Sequence, residues 1–207
     1  IAPRFDADGT AAPSLPLDIF ERVVAEAKPL GLSSVKLTGG EPLLHPRFTG
    51  ILDVVRREDL GLTVETNGLL CSGETAAAIA KCRDPFVSVS LDGAVAATHE
   101  RIRGVKGCFD RAVAGIRALA GAGLRPQVIM TLQRANAAEV GDLVSLARDL
   151  GAGSVKLNVL QPTARGARLH EAGEALGVAE VIALGRRFEG RNARVAGVKL
   201  FVDYPAA

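Results

Sequence analysis

The chain has 207 residues, 48% hydrophobic and 23% charged, with a formal net charge of +2 at pH 7. That balance fits one globular domain with a substantial core and gives no electrostatic footprint for nucleic acid or an anionic membrane. No apolar run reaches a membrane span, no signal-peptide pattern opens the chain, and Trp is absent, which removes base stacking as a main mode of action. Cys71, Cys82 and Cys108 are widely spaced and odd in number, which argues against a disulfide scaffold and for a reducing cytoplasm.

In chain order, Phe20, Val23, Val24 and Ala27 form a first helical stripe. Leu30-Gly31-Leu32-Ser33-Ser34-Val35-Lys36-Leu37 then reads as a helix end, a glycine cap and a strand, and Leu150-Gly151-Ala152-Gly153-Ser154-Val155-Lys156-Leu157 echoes it. The same grammar recurs at Leu60-Gly61-Leu62-Thr63-Val64 and at Ala122-Gly123-Leu124-Arg125-Pro126-Gln127-Val128. Phe109, Ala112, Val113, Ile116 and Leu119 form another helical stripe, and Asn136 with Glu139 reads as a capping-box-like start before Val140, Leu143, Val144 and Ala147. Strands are therefore expected near 33–38, 62–67, 86–91, 126–132 and 154–160, each followed by a helix or helical turn. Such alternation means right-handed βαβ units and a parallel sheet.

The strands alternate rather than running apolar throughout. Val87, Val89 and Leu91 oppose Ser88, Ser90 and Asp92, Val155 and Leu157 oppose Lys156 and Asn158, and Leu62 and Val64 oppose Thr63, Glu65 and Asn67. A doubly wound sheet covered on both faces would not do this. The pattern predicts a full or partial β/α barrel with a polar, ligand-sized interior. Barrel enzymes place their chemistry at the C-terminal strand ends. Here those ends carry Gly39-Gly40-Glu41, Thr66-Asn67-Gly68, Ser90-Leu91-Asp92-Gly93, Gln133 with Asn136, and Gln161 with Arg165. Turn formation and helix capping would account for the same residue types. Asp92 also reads as an Asx-turn former, Arg103 as a solvated helix-end arginine, and the cysteines as small packing residues. His45 and His170 fall in predicted loops without ligand-like spacing.

Thr38-Gly39-Gly40-Glu41-Pro42-Leu43, Thr66-Asn67-Gly68 and Val89-Ser90-Leu91-Asp92-Gly93, followed by His99 through Arg103-Gly104, together resemble the radical S-adenosylmethionine (SAM) enzymes. The nearest branch is that of the molybdenum-cofactor cyclase, sulfatase maturase and peptide-modifying enzymes, and the match runs over about residues 15 to 190. The resemblance implies an α/β fold, a partial (β/α)6 TIM-like barrel with a parallel sheet whose first strand is missing from this chain. Residues 1–14 would follow the cluster loop, 15–207 would form the core barrel, and no SPASM or twitch domain would be present. It also implies that Gly39, Gly40 and Glu41 take the SAM amino group and that Thr66 and Asn67 sit beside the methionyl or ribose portion. Ser90 would bond the ribose or carboxylate, Arg103 would pair with the carboxylate, and Gln161-Pro162 would border the adenine.

The resemblance further implies a [4Fe–4S] cluster on a CxxxCxxC loop, reductive cleavage of SAM to a 5′-deoxyadenosyl radical, and hydrogen abstraction from a peptide or small-molecule substrate. An electron donor such as flavodoxin or ferredoxin would be a partner. The three cysteines lack that spacing, and the motif is expected before Ile1, so the chain as given should be inactive alone. Two other readings stay open: an aldolase-like barrel with Lys36 or Lys156 as a Schiff-base lysine and Gly166 and Gly177 in a phosphate loop, and a SAM-binding or partner-recruiting module without a cluster.

Overall fold

The structure is a computed structural model that describes residues 14–163, 165–188, 194–195 and 198–202. The segment assigned to 1–14 lies, but for Ser14, outside the described residues.

The five expected strands all form, within a few residues of their predicted bounds: β1 (Ser34–Leu37), β2 (Gly61–Thr66), β3 (Arg83–Ser90), β4 (Gln127–Leu132) and β5 (Ser154–Val159). A short pair, β6 (Arg194–Val195) and β7 (Val198–Val202), completes a sheet of order β1-β2-β3-β4-β5-β7-β6. Strands β1 to β5 and β7 run parallel, and β6 pairs antiparallel with β7 at the margin. The fold is thus α/β with an open, six-stranded parallel sheet. Helices α1 (Leu17–Ala27), α2 (Phe48–Arg57), α3 (Gly73–Ala80), α4 (Ala96–Arg103), α5 (Cys108–Gly121), α6 (Val140–Asp149), α7 (Arg165–Glu171) and α8 (Val178–Arg187) fill the connections. No helix among the described residues is long and apolar enough to cross a membrane.

Alternation along the strands decides which face is covered. Leu62, Val64, Val87, Val89, Val128, Met130, Val155 and Leu157 join Ile51, Leu52, Ile116, Leu119, Leu143 and Val144 of the helices in one buried core. The opposite face is polar and partly tied across strands. Lys36 Nζ lies 2.7 Å from Glu65 Oε1, and Thr38 Oγ1 donates to Glu65 Oε2 at 3.0 Å. Lys36 thereby holds the Glu65 carboxyl below its ordinary range. Further along, Ser88 bonds Gln127 and Gln127 bonds Ser154, three residues in register on neighbouring strands.

The repeated glycine grammar has two physical forms. Gly31, Gly123 and Gly151 take left-handed backbone (φ 99°, 83° and 80°), ending a helical segment before a strand. In the third copy Asp59 takes that conformation (φ 48°) and Gly61 opens β2. A Cβ at Gly61 would come 3.3 Å from Ser34 Cβ, so this glycine serves close strand approach. In α1 the expected stripe is narrower: Phe20 and Val24 are buried, while Val23 is exposed.

Candidate functional site

The turn after β1 is open. Gly39 takes φ 113°, and a Cβ at Gly39 or Gly40 would meet no atom within 4 Å. Glu41 is fastened. Its Oε1 accepts from Thr66 Oγ1 at 2.6 Å and from Leu43 N at 3.2 Å, and its Oε2 accepts from Asn67 N at 2.7 Å. Three protein donors occupy most of the acceptor capacity of a carboxylate. Glu41 therefore ties the end of β1 to the end of β2, and the glycine turn presents its backbone to solvent.

Thr66-Asn67-Gly68 owes its geometry to α5. Gly68 N donates to Thr66 Oγ1 at 3.0 Å, Leu69 N donates to Asn67 Oδ1 at 2.9 Å, and Gly68 sits at φ 77°. A Cβ at Gly115 would stand 2.2 Å from the Gly68 carbonyl oxygen. Two glycines, one on each element, let the helix lie directly against the turn.

The end of β3 is held by buried polar groups. Just beyond the backbone bond from Leu91 N to Ile129 O (2.8 Å), Asp92 Oδ1 accepts from Thr131 N at 2.9 Å. Asn136 Nδ2 bridges the Asp92 carbonyl (3.0 Å) and the Thr131 carbonyl (2.9 Å), and its Oδ1 accepts from Gln133 N at 2.8 Å. His99 Nδ1 accepts from Asp92 N at 2.9 Å, and its ring meets Phe109 edge-on at 6.0 Å. Burial, then the neighbouring Arg103 charge, pushes the His99 pKa down to about 4. The ring is neutral near pH 7, with its proton on Nε2. Arg103 Nε lies 2.7 Å from Asp92 Oδ2 with its N–H turned off the oxygen, so the contact is an ion pair without a hydrogen bond.

Asn67, Ser90, His99 and Arg103, with Leu69, Val105 and Cys108, line one partly open cleft. Of the sequence-predicted residues, Asn67, Ser90 and Arg103 face this cleft. Thr66 and Glu41 brace it from behind, and the Gly39-Gly40 turn adjoins it through the Glu41–Asn67 bond.

Several readings change. Asn136 and Glu139 do not cap α6. A 3₁₀ turn (Ala137–Glu139) precedes that helix, Asn136 reaches back across β3 and β4, and Glu139 accepts from Ala94 N at 2.7 Å and from Thr98 Oγ1. Asp92 makes its side-chain bond on the neighbouring strand, not within its own turn. His170 lies on α7, its Nε2 2.9 Å from the Leu160 carbonyl. Gln161 is exposed beside that helix, and the side chain of Arg165 lies outside the described residues. The cleft residues that the sequence does not single out are Leu69 and Val105, whose local signal is that of ordinary apolar packing.

The described residues fit a methionine head group. Arg103, lining the cleft, supplies the cation that a carboxylate needs, and unobstructed glycine backbone can approach an ammonium. They do not fit an iron–sulfur cluster. Among them no group of three His, Cys, Asp or Glu residues could hold a metal. All three cysteines are free and buried, and burial raises their thiols, Cys71 to about 11, opposite to what thiolate ligation requires.

An open parallel β/α sheet with a cleft at its strand ends, where an apolar wall carries a few polar groups, defines a barrel-type ligand-binding domain. Residues 4–147 match the Radical SAM superfamily, and the chain belongs to that family. It is 33% identical over 164 residues to the AdoMet-dependent heme synthase of Methanosarcina barkeri, covering 79% of this chain and 47% of that protein. It is 32% identical over 145 residues to mycofactocin maturase MftC of Mycobacterium tuberculosis, covering 70% of this chain and 37% of the relative. The chain thus spans about half or less of the curated relatives it matches. The fold is shared with Streptococcus suis SuiB bound to its precursor peptide SuiA, at a TM-score of 0.78 and 17% identity over 97% of this chain and 45% of SuiB.

Proposed function

We propose that this chain is the SAM-gripping portion of a radical SAM enzyme that modifies a peptide. One-electron reduction of bound SAM would break its C5′–S bond, giving methionine and a 5′-deoxyadenosyl radical for hydrogen abstraction; an iron–sulfur cluster would supply that electron, with ligands that are not among the described residues. The observation that carries the reading is Arg103, which lines one cleft with Ser90 and Asn67 at the strand ends that also carry the open Gly39-Gly40 turn. In this reading Arg103 takes the SAM carboxylate, the Gly39 and Gly40 backbone takes the ammonium, and Ser90 and Asn67 take hydroxyl groups of the ribose. Glu41 and Thr66 hold the turn in register. A peptide substrate is supported by the maturase relative and by the shared fold with SuiB, whose partner is a precursor peptide. A small electron-transfer protein such as flavodoxin or ferredoxin would complete the cycle.

The test is anaerobic cluster reconstitution of the full-length protein, followed by measurement of 5′-deoxyadenosine formed from SAM under reduction. Product formation is expected, and its absence from cluster-loaded protein would refute the enzymatic reading. Independently, Arg103→Ala should weaken SAM binding about 100-fold, the size of losing a charge-assisted fork in a partly desolvated site. Unchanged affinity by equilibrium dialysis would remove Arg103 from the site.

A further inference from the structure

We infer that Asp92 is a positioning residue: it aims the Arg103 guanidinium so that the fork, rather than a diffuse positive charge, meets the carboxylate of SAM. The inference rests on the reading of Arg103 just given.

Every other polar atom of Asp92 is already committed. Its backbone N donates to His99 Nδ1, its carbonyl accepts from Asn136 Nδ2, and its Oδ1 accepts from Thr131 N. These bonds come from α4, from the β4–α6 connection and from β4: two pin the Asp92 backbone, and the third holds its carboxylate through Oδ1. The residue is 4% exposed, which leaves water little access to loosen it. Oδ2 alone remains, and it stands 2.7 Å from Arg103 Nε.

Arg103 has no comparable support of its own. It occupies the last position of α4, just before Gly104 turns left-handed at φ 71°, and its side chain is 18% exposed. Its two Nη nitrogens make no hydrogen bond among the described residues. A long side chain at a helix end samples many rotamers, and each costs affinity when it must be frozen on binding. An anchored carboxylate at Nε restricts those rotamers beforehand, for a side chain that lines the cleft together with Ser90 and Asn67. The Nε–H is buried without a hydrogen bond, so the guanidinium is held by charge and packing.

A structural role alone predicts something different. If Asp92 served only to close β3 onto β4, its loss would weaken all ligands of the cleft alike. The experiment therefore compares SAM with decarboxylated SAM on the full-length, cluster-loaded protein, by equilibrium dialysis. Asp92→Asn keeps an oxygen for Thr131 N and removes the charge facing Arg103. It should weaken SAM binding about tenfold and leave decarboxylated SAM within about twofold, as expected for losing the orientation of one charge-assisted contact. In an Arg103→Ala background the same substitution should change neither affinity, because the effect runs through Arg103. Equal loss for both ligands, or a full effect of Asp92→Asn in the absence of Arg103, would overturn the inference. Asp92→Glu retains the charge but carries it one methylene too far, and it should show the same selective loss if the Asn variant does not fold; selective binding retained in Asp92→Glu would count against positioning. If Arg103→Ala alone leaves SAM affinity unchanged, the methionine-site reading fails, whatever Asp92 does.

Discussion

Two carboxylates at the mouth of the sheet use the same device for different ends. Glu41 follows β1 and accepts the backbone N–H of Asn67, at the end of β2; Asp92 follows β3 and accepts the backbone N–H of Thr131, in β4. Each stitches neighbouring parallel strands where the backbone ladder gives out. They part at the second oxygen. Glu41 spends it on neutral donors, the Thr66 hydroxyl and Leu43 N, whereas Asp92 turns it on a guanidinium. The β1–β2 side of the mouth is thus closed upon itself and offers bare backbone, and the β3–β4 side leaves a charge directed outward. A zwitterion needs both kinds of surface. Fastening by a carboxylate does not distinguish scaffold from site; what its remaining oxygen faces does.

The largest expected effect on stability comes from breaking the Glu41 side. Glu41→Ala removes the acceptor of three hydrogen bonds and should cost about 2–3 kcal/mol in denaturant unfolding, the usual penalty for stranding partly buried donors. Glu41→Gln, which keeps one oxygen, should cost about half of that. If Glu41→Ala left stability intact and only affinity fell, the contrast drawn between the two carboxylates would collapse.

A middle-sized effect tests whether α5 sets the shape of the Asn67 turn. Gly115→Ala would drive a methyl into the Gly68 carbonyl and should cost about 1–3 kcal/mol, the range for overpacking a tight contact. Gly121→Ala, near the end of the same helix, meets no atom within 4 Å and should be neutral or slightly stabilising, by up to about 1 kcal/mol. Thermal melts of the two variants give the answer directly, and equal losses would mean that the helix end, not the turn contact, governs α5.

The smallest effect sharpens the Asp92 side. The His99 pKa, pushed down to about 4 from an ordinary 6.5, means that the unfolded chain binds this proton before the folded one does. Its contribution to stability is complete above pH 6.5 and is lost as the pH falls toward 4. His99→Asn keeps an acceptor for Asp92 N and cannot titrate, so its melting temperature should fall less steeply across that window. Parallel curves for variant and parent would show that other groups govern the acid limb.

The strands were legible because two local signals agreed: alternation marked their faces, and the glycine turns marked their starts. Strand β7 carried the same alternation, with Val198, Leu200 and Val202 buried, but it stands beyond two helices and outside the repeated grammar that marked the others. The cleft residues Asn67, Ser90 and Arg103 were legible as a set of motifs in order. What could not be read was the partner of each polar group. Asp92 meets Thr131, 39 positions on, only because β3 and β4 are neighbours, and the local turn-forming habit of Asp competes with that reading. Asn136 looked like a cap for the same reason: short polar side chains favour caps, and only strand order supplied it a better use.

The contact between Gly115 and Gly68 reaches further than one turn. Helix α5 opens at Cys108 in the wall of the cleft, sets Phe109 against the His99 ring one position later, and two turns on bears on the Gly68 carbonyl. One rigid rod therefore touches the mouth at both sides of the Asn67–Arg103 gap. A slide of that rod along its axis would shift the neutral and the charged flank together, so the width of the gap is a property of the helix as a strut rather than of either loop. Substitutions on the solvent face of α5, far from any ligand, thereby gain a mechanical route to the gap.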